Sequence, residues 1–121
     1  MKKRIIIMSS CLKNNRLELK AGESINKLQP AEQILVDSDH FSFIYLMEDK
    51  QDYTYIVLPE TAWPHLKAAM DQKIPVWITF NEEQLELTNF HDELEYVLSN
   101  IQGNSNYGEE MVKKVEGIFY R

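Results

Sequence analysis

An α+β fold follows from three features of the amino-acid sequence. The first half consists of short apolar or alternating segments separated by polar breaks, the pattern of strands and turns. Pro59 ends that pattern, and from residue 60 apolar residues recur at helical spacing. The last third carries two amphipathic stripes with a glycine between them. The expectation is a mainly antiparallel sheet, from the N-terminal half and a later hairpin. Three helices, over approximately 60–72, 89–102 and 106–119, pack on it, and 1–121 forms a single α+β domain.

Arg4 to Ser9 is rich in isoleucine, whose branched Cβ restricts χ1 and favours extended backbone. Asn14-Asn15 turns the chain into 16–20, where Leu17 and Leu19 alternate with charged residues. Residues 24–33, which include Pro30, lack periodicity and are expected to be loop. Ile34-Leu35-Val36, then 41–48, then 53–58 read as strands joined by the polar breaks 37–40 and 48–52. Such short connections suit antiparallel hairpins, because a parallel crossover needs a dozen residues or more. In 41–48, Phe43, Tyr45 and Met47 share one face.

Trp63, Leu66, Ala69 and Met70 define the first helix, with Pro64 tolerable only in its first turn. Residues 75–80 and 84–87 form a further hairpin. Thr88 or Asn89 is expected to cap a helix carrying Phe90, Leu94, Val97, Leu98 and Ile101, with Asp92 and Glu93 at its positive end. Gly103 suits a left-handed helix end. Ser105 or Asn106 caps the last helix, on which Glu109–Lys113 and Glu110–Lys114 are spaced for i,i+4 pairing.

The chain has 121 residues, a formal net charge of −6 and 44% hydrophobic content, which excludes disordered and collagen-like classes. Its single cysteine, Cys11, cannot staple a disulfide scaffold, and a cytoplasmic setting is expected. Lys2, Lys3 and Arg4 before Ile5-Ile6-Ile7-Met8 imitate a signal sequence, but the apolar run is too short for one. Phe41 to Met47 is far from the ~20 apolar residues of a membrane span, so no membrane association is expected. Residues 1–30 hold seven basic and two acidic residues, and residues 31–121 six and 17. An acidic body of that kind repels phosphate backbones and makes nucleic acid an unfavoured partner. The basic segment is expected to pair with that acidic body, contact with an anion or acidic partner being the alternative.

Known catalytic patterns fail on their particulars. Gly103-Asn104-Ser105-Asn106-Tyr107-Gly108 has the glycine spacing of a phosphate loop, but Glu109 and Glu110 stand where lysine and a hydroxyl residue are needed. Asp37 and Asp39 are the nearest approach to metal ligands, yet the calcium-loop glycine and glutamate are missing; turn-forming aspartates are the simpler reading. His40, His65 and His91 show no zinc-site spacing, and no nucleophile elbow surrounds any serine. No cofactor is expected. Thirteen aromatic residues are many for this length, and one sheet cannot bury all of them if helices cover a single face. Tyr45, Trp63 and Trp77 are therefore the interaction candidates.

Ile34-Leu35-Val36-Asp37-Ser38-Asp39, Glu60-Thr61-Ala62-Trp63 and Asn100 to Glu110, with its Gly-Asn-Ser-Asn-Tyr-Gly core, resemble the YjbL-like family of small proteins of Bacillus-type bacteria. The resemblance runs from about residue 34 to the C-terminus and fades over the first 30 residues. It implies a cytosolic bacterial protein of this size, with no activity or catalytic residue to carry over. The expected function is non-enzymatic, through contact with a protein partner or by self-association, as a regulatory or assembly component. The alternatives are a small-molecule-binding or hydrolytic domain using the Asp37/Asp39 turn with a histidine, and nucleic-acid contact through the basic segment.

Overall fold

The computed structural model describes residues 3–121; Lys2, part of the basic entry to the first strand, lies outside them. Seven strands form one sheet: β1 (Lys3–Lys13), β2 (Arg16–Ala21), β3 (Gln29–Asp37), β4 (Ser42–Glu48), β5 (Tyr53–Pro59), β6 (Val76–Phe80) and β7 (Glu83–Glu86). Their spatial order is β3-β4-β5-β1-β2-β6-β7. The helices are α1 (Trp63–Gln72), α2 (Phe90–Ile101) and α3 (Glu109–Phe119), preceded respectively by a 3-10 turn at Glu60–Ala62, no such turn, and one at Ser105–Tyr107. The α+β class holds.

The sheet is mixed, however, and not mainly antiparallel. β1 runs parallel to β5, and β2 parallel to β6. Short connections do force β3-β4-β5 and β6-β7 into antiparallel pairs. They place no limit on strands far apart in sequence, and the N-terminal hairpin β1-β2 inserts between those two units. β1 joins the two units, pairing with β5 through Lys3–Ile6 and with β2 through Ile7 and Ser9–Lys13.

The segment 24–33 is not all loop, because β3 begins at Gln29. Its alternation is hidden by a register shift between Pro30 and Ile34, with Glu32 at φ +60°. Pro30 is tolerated because β3 is an edge strand. Pro64 occupies the first turn of α1, as its missing N–H requires. Asn89 sits at the N-cap of α2 but at φ +58°, with no side-chain cap hydrogen bond. Gly103 adopts φ +67° after α2. The final helix starts later than its stripe suggests: Asn104 caps the 3-10 turn and Gly108 stands at the N-cap of α3. Lys114 reaches Glu60 at 3.3 Å in place of the expected Glu110 partner.

Alternation assigns each strand residue to one of two faces. Ile5, Ile7, Leu17, Leu19, Phe43, Tyr45, Met47, Ile56, Leu58, Val76 and Ile78 face the helices, forming one core with Trp63, Leu66, Phe90, Leu94, Met111, Val115 and Phe119. Phe43, Trp63 and Phe119 make its aromatic centre, with ring centroids 4.9–6.1 Å apart. No helix among the described residues is long and apolar enough to cross a membrane.

Candidate functional site

The opposite face of the sheet carries no helix. The registers align Leu35, Ile44, Val57 and Ile6 in one row across β3, β4, β5 and β1. Ile44 and Val57, with neighbouring Leu46, are buried yet lie outside the helix-side core. A right-handed twist brings two diagonal corners of a sheet toward one another on one face. Here Arg4 Nη2 lies 3.3 Å from Asp37 Oδ2, although β4 and β5 stand between their strands. The guanidinium also approaches the Tyr55 ring at 5.8 Å. This strap shields the aliphatic row at its β3 end.

Cover stops at β1. Ile6 is 53% exposed and Met8 70% exposed. The register between β1 and β2 shifts after Ile7, so that Ser9 pairs with outward-facing Lys20 and Met8 is thrown outward. Gly22, whose N–H donates to the Ile6 carbonyl at 3.1 Å, lies beside this bulge; a Cβ there would meet the Met8 side chain at 3.3 Å. Lys20 stands at the bulge opposite Ser9, Lys13 lies on the same face at the hairpin end opposite Arg16, and neither forms an ion pair among the described residues.

Trp77 lies on this face as well, opposite Glu18 and Glu86. Arg16 closes over it: the guanidinium carbon stands 4.5 Å from the ring centroid, while its nitrogens bond Glu18 at 2.8–2.9 Å and Gln84 at 2.7 Å. Trp77 is thus partly covered by its own chain.

The other two aromatic candidates lie in the core instead of at the surface. Trp63 is fully buried and donates from Nε1 to the Leu58 carbonyl at 3.4 Å. Tyr45 is fully buried, stacks on Phe90 and donates its hydroxyl to the Thr88 carbonyl at 2.7 Å. Burial pushes the Tyr45 phenol up to about 12. Large rings on the helix-facing side are what a small core uses to gain area, so neither offers a surface contact.

Asp37 and Asp39 are not brought together around a common centre. Asp37 is engaged by Arg4 and by His40 Nδ1 at 3.0 Å, and it accepts the His40 backbone N–H at 3.3 Å; Asp39 is exposed. His65 Nδ1 lies 2.7 Å from Ser10 Oγ, tying α1 to β1, and His91 Nε2 donates to the Ile74 carbonyl at 2.6 Å. Among the described residues no three His, Cys, Asp or Glu side chains are grouped to hold a metal ion. Among the described residues, four clefts open to solvent include one of about 920 Å³ lined by Lys27, Gln29 and Glu48 to Gln51. None of the four is lined by Asp37 or Asp39.

Sequence reasoning passed over Ile6 and Met8. Their signal was the unbroken Ile5-Ile6-Ile7-Met8 run, which in a strand must present apolar groups on both faces.

A mixed seven-stranded sheet with all its helices on one face, and an apolar strip on the other, defines an α+β protein with one open sheet face. The chain belongs to the UPF0738 family, a family of unknown function, whose model matches residues 5–119. It is 43% identical to the UPF0738 protein YjbL of Bacillus subtilis, over 98% of this chain and 99% of that one. A relative from Bacillus licheniformis is 44% identical over the same shares, and one from Geobacillus kaustophilus 46% identical over 78% of this chain and 75% of its own. The likeness therefore includes the N-terminal hairpin and does not begin near residue 34. No solved structure matches the chain.

Proposed function

We propose that this chain works as one domain, in the cytoplasm, as a non-enzymatic protein that acts through protein–protein contact on the outer face of β1. The observation that carries this reading is the pair Ile6 and Met8, 53% and 70% exposed on a sheet face without helices. Adjacent exposed apolar side chains with a charged rim are the usual composition of a contact surface. The side chains suited to chemistry support the same reading, since Asp37, His65 and His91 each engage another part of the fold and His40 is turned onto Asp37. A reduced Cys11, half-buried on β1, accords with a cytoplasmic setting.

The test is site-specific photo-crosslinking in native cells, with a benzophenone side chain at Met8 and, as control, at exposed Tyr96 on α2. A discrete adduct from position 8 but not from position 96 is expected. Loss of that adduct on Ile6→Lys, with the far-UV spectrum unchanged, ties it to this face. The absence of any adduct specific to position 8 would refute the reading.

A further inference from the structure

Resting on that reading, we infer that the occupant of the β1 strip is a short acidic segment of a partner protein, with two apolar side chains seated on Ile6 and Met8. Charge selects it. The body of this chain is acidic, yet the outward groups that frame the strip are Arg4, Lys20 and Lys13. The carboxylates that reach these groups on the same face are already engaged: Asp37 by Arg4 at 3.3 Å, and the buried Glu18 by Arg16 at 2.8 Å. Lys20 and Lys13 have no ion partner among the described residues, so an incoming carboxylate meets free ammonium groups next to apolar surface.

Size selects a segment over a second copy of this chain. The exposed parts of two side chains amount to a few hundred Å² at most, whereas a stable interface takes about 800 Å² from each partner. From Arg4 to Lys13 the strip is about 30 Å long at the usual strand rise, the length of eight or nine extended residues. The net charge of −6 on the whole chain discourages large polyanions at long range, which leaves the short-range combination of carboxylate and apolar contact as the distinguishing chemistry.

The experiment pans a random twelve-residue peptide display library on the full-length protein and subtracts peptides that also bind the Ile6→Lys/Met8→Lys variant. Enrichment of net-acidic sequences with at least two aliphatic or aromatic residues is expected. A synthetic peptide of the enriched sequence is expected to bind at least tenfold more weakly to Lys13→Glu/Lys20→Glu, and to weaken as salt rises. Neutral or basic enrichment overturns the inference, as does no enrichment, or equal binding to the charge-reversed variant. A Met8 adduct at twice the chain mass also overturns it, assigning the face to a second copy while leaving the contact reading intact. The lysines are exposed and the variants are checked by circular dichroism, so loss of fold is separable from loss of binding.

Discussion

Arg4 and Asp37, on strands separated by two others, meet at 3.3 Å above a floor of Ile44 and Val57. An ion pair of this exposure contributes about 0.2–1 kcal/mol. Asp37 also caps the 3-10 turn through the His40 N–H, a role typically worth about 1 kcal/mol. Asp37→Ala is therefore expected to cost more than Arg4→Ala. Urea unfolding of both single variants and the double variant measures the coupling; equal single losses would contradict the double role.

Tyr45→Phe is expected to cost about 1 kcal/mol by leaving the Thr88 carbonyl without its donor. It also tests alkaline stability. The folded phenol titrates at about 12 against an ordinary 10. The folded state therefore binds more protons than the unfolded state between those values. Stability is fully present below pH 10 and falls as pH rises toward 12. Unfolding followed against pH should show a shallower decline in that window for Tyr45→Phe than for the native chain.

Removing the Arg16 side chain uncovers Trp77 and strands the buried Glu18 carboxylate. Arg16→Ala is expected to lose about 2 kcal/mol and to increase acrylamide quenching of indole fluorescence. Trp63 is fully buried and stays quenching-resistant, so Trp77→Phe should abolish the increase. Its persistence in that background would place the effect elsewhere.

Gly103→Ala is expected to cost about 1 kcal/mol, because φ is +67° while nothing lies within 4 Å of the added methyl. The penalty is conformational and not steric. Gly103→Asn should then recover part of it in thermal melts, since asparagine enters the left-handed region more readily.

The helices were legible because a 3.6-residue stripe survives whatever it packs on: Phe90 to Ile101 and Met111 to Phe119 are buried as their spacing requires. The β3-β4-β5 meander was legible because its connections are short. The central place of β1 was not, since pairing between residues near 5 and 56 leaves no local trace. The start of β3 was hidden by its own bulge. At the candidate site, ring size alone could not separate the core aromatics Tyr45 and Trp63 from Trp77 on the outer face. Ile6 and Met8 needed knowledge of which face the helices choose, and that is decided by all three helices together.

The position of the N-terminal hairpin sets an order of events during synthesis. Residues 3–21 need residues 53–59 on one side and 76–80 on the other, and both of those segments are made after them. Until residue 59 has been made, β1-β2 has no neighbour, and its β2 edge stays bare until residue 80. Distant pairings of this kind close slowly, and bare edges are where chains pair wrongly. The hairpin therefore waits for two strands made later before both of its edges can close.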